Sequence, residues 1–306
     1  MPVAVEVITY GKLTWVNIVQ PTQDDMQYLR ARYPFHPLEL EDCLSQIERP
    51  KIDEHGDYLF IVMHFPLFDH QAQITRPSTV NFFIGANYLV TVHAGVLKPL
   101  VQLFNVCKED EAARQRYMSK GAGRLLYDVL DRMVDYCFPM LNKVGQHIRE
   151  IEEDMFTSDM RRIVQRISIV RRDLIALRRV IKPQIAIVSN LERKDRPFIQ
   201  EELDVYFGDI ADGFSRAWDI LEDYEEVIEG LSSTGDSLIS YRLNEVIRIL
   251  TLISVIMMPP TLVASIYGMN VRLPLAEHPF SFAVVLIVII LSTVVTLAYL
   301  RMRGWV

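Results

Sequence analysis

The sequence predicts an α+β N-terminal domain, a long helical stalk and two C-terminal transmembrane helices. Strand-like runs separated by glycines fill the first part of the chain, and from Arg124 the apolar residues recur with a helical period. Two long apolar segments, residues 249–266 and 280–300, then close the sequence. Eighteen or more apolar residues in a helix are enough to cross a hydrocarbon core of about 30 Å. The chain is therefore expected to be a membrane protein with a large water-exposed part.

The N-terminal α/β domain is assigned to residues 1–110. Gly11, Gly56 and Gly85 separate runs that are rich in β-branched and aromatic residues. The predicted strands are 3–9, 13–17, 58–65, 79–84 and 88–92. Helical patterns cover 22–32, 37–46 and 98–111. This mixture of strands and helices predicts an α+β arrangement.

Residues 111–240 are assigned to a helical hairpin and stalk. Apolar residues step by three and four along two arms, 141–155 and 160–177, as in a coiled coil. The first arm is acidic and the second is rich in arginine, which favours antiparallel packing of the two arms. Pro183 and Pro197 are expected to bound a linker. Beyond it a helical pattern starts near Ile199 and is expected to continue through Tyr241 into the first span as a stalk helix, with Gly230 and Gly235 as weak points.

The charge distribution excludes nucleic acid as a partner. The chain carries −7 overall, and from Tyr241 onward five arginines oppose two glutamates, so the first 240 residues carry −10. Nucleic acids attract basic surfaces, whereas an acidic region suits a protein that handles cations. Cys43, Cys107 and Cys137 are widely spaced without a CxxC pair, so reduced structural thiols are expected.

Basic residues on the outer flanks of the two spans predict the topology. Arg242 and Arg248 precede the first apolar segment (249–266), and Arg301 and Arg303 follow the second (280–300), so both flanks should face the cytoplasm. Residues 1–10 lack the features of a secretory signal. The predicted membrane part comprises the first span (241–268), an external loop (269–279), the second span (280–300) and a basic cytoplasmic tail (301–306).

One face of the first span mixes hydroxyl and apolar side chains. Positions three and four residues apart share a helix face. The members are Asn244, Ile247, Leu250, Ser254, Met258, Thr261 and Ser265. Such a face suits either a pore lining or packing between helices, where Ser and Thr are common. Pro259-Pro260 interrupts the span, as membrane helices tolerate when the freed carbonyls find partners.

The hairpin between the spans begins with Tyr267-Gly268-Met269-Asn270, which resembles the signature of the CorA family of magnesium and divalent-cation channels. Residues 244–251 with Met258-Pro259 are similar to the CorA pore helix. The segments 38–42, 49–51 and 58–62 and the ending 303–306 are also similar to that family. The resemblance implies a funnel-shaped homopentamer in a prokaryotic inner membrane, with five first spans lining the pore.

The resemblance also implies roles for individual residues. Tyr267, Gly268, Met269 and Asn270 would form the selectivity filter, and the face listed above would line the pore, with Met258, Leu250 and Ile247 as its apolar constriction. Arg301 and Arg303 would form a basic ring at the inner mouth. Regulatory Mg²⁺ would bind between subunits. Its implied ligands are Glu41, Asp42, Asp131, Asp209 and Asp212.

The function implied is influx of Mg²⁺, with Co²⁺ and Ni²⁺ as further substrates, down the electrochemical gradient and without a resident cofactor. The loop after the motif departs from the Met-Pro-Glu-Leu run of many CorA proteins and carries Arg272. A ZntB-like Zn²⁺ transporter, with or without proton coupling, is therefore the main alternative. A membrane-anchored scaffold or sensor that conducts nothing is the more remote one.

Enzyme chemistry is not expected. Residues 120–124 are Gly-rich and basic, but they lack the spacing and the Ser or Thr of a phosphate-binding loop, so they predict a helix start. No Ser-His-Asp ordering or nucleophile motif stands out. The expected partners are the lipid bilayer, further copies of this chain and divalent cations.

Overall fold

The computed structural model describes residues 5–45, 48–69, 74–157, 159–193, 203–269 and 279–305. It divides into two compact units, Met1–Ser232 and Ser233–Val306. The first unit contains a six-stranded sheet, and the second contains the two apolar segments that end the chain. The predicted α+β domain, long helix and C-terminal apolar helices are thus confirmed.

The sheet of the first unit has the strand order β1-β2-β6-β5-β4-β3. Its strands are β1 (Val5–Tyr10), β2 (Leu13–Val19), β3 (Lys51–Glu54), β4 (Tyr58–Asp69), β5 (Ile74–Gly85) and β6 (Tyr88–His93). The pair β2/β6 is parallel and every other pair is antiparallel. The edge strand β3 was not predicted, and β4 and β5 are longer than the patterns indicated.

Helices cover both faces of this sheet. On one face α1 (Gln23–Arg32) and α2 (Pro37–Asp42) pack against side chains that include Val16, Phe60 and Phe83. Because side chains alternate along a strand, the neighbouring Trp15 points to the other face, where its ring meets Phe104 of α3 (Lys98–Glu109) edge-on. The short helix α4 (Glu111–Met118) follows α3. The three cysteines are buried and free.

The helices α5 (Ala122–Asp154) and α6 (Met160–Arg193) form the predicted antiparallel hairpin. Arg166 of α6 joins the arms through Glu150 at 3.2 Å and Asp154 at 2.6 Å. The predicted linker at Pro183 was wrong, because α6 continues through this proline to Arg193. Beyond Pro183 the helix still buries residues that include Val188 and Leu191, and this packing outweighs the cost of a proline inside a helix.

Helix α7 (Asp204–Tyr267) begins in the first unit and ends in the second, without a break at Gly230 or Gly235. Helix α8 (Ser281–Met302) follows in the second unit. Both helices are long and apolar enough to cross a membrane by length and composition. The predicted start near Ile199 lies outside the described residues, and the helix continues through Pro259 and Pro260.

Candidate ion pathway and sensor residues

The candidate pore face lies on the part of α7 that belongs to the second unit. All seven of its side chains are exposed in the single chain: Asn244, Ile247, Leu250, Ser254, Met258, Thr261 and Ser265. Leu250 is 59% exposed and Met258 is 73% exposed. Exposed apolar side chains at membrane depth can contact lipid, another helix or a pore, so the face is available for any of these roles.

Two hydroxyl groups on this face donate hydrogen bonds to backbone carbonyls of their own helix. Ser254 Oγ donates to the carbonyl of Leu250 at 2.9 Å, and Thr261 Oγ1 donates to the carbonyl of Met257 at 2.7 Å. A hydroxyl has one proton and two acceptor lone pairs. Each oxygen therefore presents only lone pairs to its surroundings, and such an oxygen accepts hydrogen bonds from the water shell of a cation.

The two prolines of the span leave backbone acceptors without their usual partners. Pro259 and Pro260 have no N–H group, so neither can bond the carbonyl four residues earlier, at Val255 and Ile256. In a hydrocarbon environment such carbonyls require other donors. The span therefore carries two additional acceptors near its middle.

The C-terminal end of α7 closes tightly at Gly268. Its N–H donates to the carbonyl of Ala264 at 2.9 Å, and the N–H of Met269 donates to that of Ile266 at 3.2 Å. A Cβ atom at Gly268 would lie 3.2 Å from the Ala264 oxygen, so glycine permits this close approach. Tyr267 is exposed at the last position of the helix. Asn270 lies outside the described residues, and its role remains a prediction.

The C-terminal tail of the second unit makes a contact with α7 that sequence reasoning missed. The Arg248 guanidinium donates to the carbonyls of Gly304 at 3.2 Å and Trp305 at 2.9 Å. The chain turns back at Gly304, which adopts φ +70°, and Trp305 N–H bonds the carbonyl of Leu300. Arg301 and Arg303 are exposed beside this turn, and their predicted ring is not tested by a single chain. The missed signal was an arginine directly before the first apolar segment (249–266).

In the first unit, Asp42 ends helix α2 and already contacts a cationic side chain. Its Oδ2 lies 2.7 Å from Lys51 Nζ, which also lies 3.0 Å from Asp53 Oδ2. Burial alone would lower the pKa of Lys51, but hydrogen bonds to these two carboxylates outweigh it and raise the pKa. Glu41, the neighbouring candidate, is exposed.

Helix α2 is anchored by a buried carboxylate that the sequence analysis did not single out. Glu39 is 4% exposed, and it accepts from Tyr58 Oη at 2.7 Å and lies 2.6 Å from His55 Nε2. Tyr58 Oη in turn accepts from the N–H of His36 at 2.9 Å. Burial, followed by the hydrogen bond to Glu39, raises the pKa of Tyr58. These contacts position the helix that carries Glu41 and Asp42.

Two further candidates come together between α5 and α7. Burial raises the pKa of Asp131, and the negative charges of Asp135 and then Asp209 raise it further. The pKa of Tyr127 is raised by burial and by Asp131 and Asp209. Asp212 is exposed on α7. Within the described residues no three His, Cys, Asp or Glu side chains are grouped to hold a metal ion.

The comparisons with known proteins cover nearly the whole chain. The family model described as CorA-like Mg²⁺ transporter protein matches residues 10–302. The cobalt/magnesium transport protein CorA of Thermotoga maritima is 30% identical over 299 residues, which are 95% of this chain and 83% of that protein. The chain belongs to the CorA family.

Solved structures agree with this assignment at the level of the fold. The complete CorA magnesium transporter of Methanocaldococcus jannaschii matches with a TM-score of 0.86 at 23% identity, covering 98% of this chain and 94% of that one. The ZntB cytoplasmic domain of Vibrio parahaemolyticus matches with a TM-score of 0.63 at 10% identity, over 76% and 90% of the two chains. CorA proteins are transporters or channels, so this chain is placed among membrane transport proteins.

Proposed function

We propose that this CorA-family chain conducts Mg²⁺ into the cell, with Co²⁺ and Ni²⁺ as further substrates. The observation that carries the proposal is the face of α7 on which Ser254 and Thr261 turn their hydroxyl protons to the backbone. A hydrated cation presents water hydrogens outward, and these oxygens are free to accept them. An anion would present acceptors instead, and it would find no donors at these two positions.

The proposed pore is formed by five copies of the first span, as the CorA relationship implies. Asn270 from each copy would form the outer ring. Mg²⁺ dehydrates reluctantly, so a ring of amide oxygens can recognise the hydrated ion without removing its water. A ring of carboxylates would hold the ion more strongly and slow its release.

The apolar residues of the same face would form the gate. Ile247, Leu250 and Met258 are exposed apolar side chains on one side of the helix, and a ring of such side chains can close a pore by excluding water. Asn244 would form a polar ring at the inner mouth, with Arg301 and Arg303 beside it. Opening would then require only a small widening of the rings.

Regulation would come from the acidic residues of the first unit. We place bound Mg²⁺ between subunits at Glu41, Asp42, Asp131, Asp209 and Asp212. Burial raises the pKa of Asp131, and the negative charges of Asp135 and then Asp209 raise it further, so Asp131 and Asp209 repel each other within one chain. Loss of Mg²⁺ would leave such charges unscreened across the interface and loosen it.

The proposed location is the inner membrane of a prokaryote, with both termini in the cytoplasm. Transport would be passive, since a divalent ion that crosses 100 mV gains about 4.6 kcal/mol, twice the value for a single charge. No ATP site is required for influx against a modest concentration gradient.

The test is Mg²⁺ uptake into proteoliposomes that contain a Mg²⁺-sensitive dye, under an imposed inside-negative potential. We expect uptake that increases with the potential, and loss of uptake in Asn270→Ala with unchanged assembly. Absence of Mg²⁺ uptake in correctly inserted protein would refute the proposal. Zn²⁺ uptake in its place would identify a ZntB-like transporter, and no flux of either ion would indicate a scaffold.

A further inference from the structure

The ammonium group of Lys51 occupies a position between two carboxylates in the first unit. Its Nζ atom lies 2.7 Å from Asp42 Oδ2 and 3.0 Å from Asp53 Oδ2. The Asp42 side chain is only 19% exposed, whereas that of Asp53 is 42% exposed. Asp42, the more buried of the two carboxylates, is therefore already paired with a cation of the same chain, the Lys51 ammonium.

Strand β3, its pairing with β4 and helix α2 together place Lys51 between Asp42 and Asp53. Lys51 and Asp53 are two residues apart on the edge strand β3, so their side chains emerge on the same face. Strand β3 is held by antiparallel pairing with β4. Asp42 is held at the end of α2, which Glu39 anchors to Tyr58 and His55. The Lys51 ammonium also lies 5.5 Å from the centre of the Phe60 ring.

The chemistry of these two carboxylates suits a hard divalent cation. Asp42 and Asp53 supply carboxylate oxygens, which Mg²⁺ prefers. The ammonium group is a stand-in for such an ion, because it is a compact cation at hydrogen-bonding distance from both carboxylates. A divalent ion that approaches Asp42 must displace Lys51 or share the carboxylate with it.

We propose that Lys51 competes with Mg²⁺ for Asp42. It would thereby set the Mg²⁺ concentration at which the proposed regulatory site at Asp42 binds the ion. The inference rests on the proposed regulatory role of Asp42 and extends it. At low Mg²⁺ the ammonium neutralises Asp42 within the subunit. At high Mg²⁺ the divalent ion takes the carboxylate, and Lys51 remains paired with Asp53.

The test measures thermal unfolding of the full-length protein in detergent across a MgCl₂ titration at constant ionic strength. Lys51→Met removes the charge and keeps an unbranched side chain. Partly exposed ion pairs contribute up to about 1 kcal/mol, so the half-maximal Mg²⁺ concentration should fall about two- to fivefold. Lys51→Arg keeps the charge and should not lower it.

Lys108→Met is the matched control. Lys108 pairs with Glu6 at 2.6 Å, and Glu6 lies on β1, at the opposite edge of the same sheet. This variant makes the same change in charge and should leave the Mg²⁺ midpoint unchanged. In an Asp42→Asn background, Lys51→Met should no longer shift the midpoint.

An unchanged or higher midpoint in Lys51→Met would overturn the inference. An equal shift in Lys108→Met, or a shift that persists without Asp42, would also overturn it. If Mg²⁺ does not stabilise the wild-type protein, Lys51 has no ion to compete with and the inference fails. The uptake assay decides conduction separately, because it is performed without Mg²⁺ on the cytoplasmic side.

Discussion

Arg248 Nη2 donates a hydrogen bond to the carbonyl oxygen of Trp305 at 2.9 Å and thereby joins the first apolar helix to the C-terminal tail. The same nitrogen reaches the carbonyl of Gly304 at 3.2 Å. We expect Arg248→Ala to lower the thermal midpoint of the detergent-solubilised protein by about 2–4 °C, the shift for a loss near 1 kcal/mol in a chain of comparable size. Differential scanning fluorimetry measures it.

Arg248→Lys is the control for this contact. Lysine retains the charge and can reach one of the two carbonyls, so it should recover part of the loss. An Arg248→Ala protein with an unchanged midpoint would show that the contact does not stabilise the helix pair. An equal decrease of the thermal midpoint in both variants would show that the contact depends on the geometry of the guanidinium group and not on its charge.

The sequence predicted the elements whose signal is local. The apolar segments and the 3.6-residue period indicated α5, α6, α7 and α8, because a helix is defined by neighbours within two turns. The edge strand β3 escaped prediction because Lys51–Glu54 is short and polar and forms only through its pairing with β4. Pro183 was misleading because a buried helix face decided the structure there.

In the candidate sites, too, features with a local sequence signal could be predicted, whereas contacts between distant residues could not. The hydroxyl positions of α7 could be read from their spacing, since they share one helix face. The contacts of Glu39 with Tyr58 and of Arg248 with Trp305 join residues 19 and 57 positions apart. No local pattern encodes such pairs, so only the three-dimensional structure reveals them.

A gate formed by Leu250 predicts a leak when the side chain becomes polar. Leu250→Ser should raise Mg²⁺ uptake several-fold when the Mg²⁺ concentration is high on the cytoplasmic side. A ring of serine side chains at this position would remain hydrated, so it could not close the pore by excluding water. Ile249→Ser is the matched control: Ile249 is 51% exposed but points about 100° away around the helix. Equal uptake in the two variants would contradict a gate on the predicted face.

The repulsion between Asp131 and Asp209 predicts a stabilising substitution. Asp209→Asn removes one of the charges that raise the pKa of Asp131, so thermal stability without Mg²⁺ should increase by up to about 1 kcal/mol. The further stabilisation by added Mg²⁺ should become smaller. Asp219→Asn, an exposed position ten residues further along α7, is the control for charge alone. Equal stabilisation by both substitutions would argue against a specific repulsion.

The buried His93 predicts a loss of stability in mild acid. Its Nε2 lies 2.9 Å from Asn17 Oδ1, and its Nδ1 accepts from the N–H of Gly95 at 3.0 Å. The neutral ring with its proton on Nε2 satisfies both contacts, whereas a second proton on Nδ1 would break the bond from Gly95. Burial lowers the pKa of His93 to about 4.

The sign of the pH dependence follows from the two protonation states. The unfolded chain binds a proton at His93 near pH 6.5 and the folded chain only near pH 4, so stability is complete above pH 6.5 and falls as the pH decreases to about 4, by up to about 3 kcal/mol. Denaturation of the full-length protein in detergent, followed by circular dichroism, measures this slope. His93→Gln should be less stable at pH 7.5 but should have a shallower slope between pH 6.5 and 4. Parallel profiles for the two proteins would mean that His93 does not contribute to acid sensitivity and that the carboxylates alone produce it.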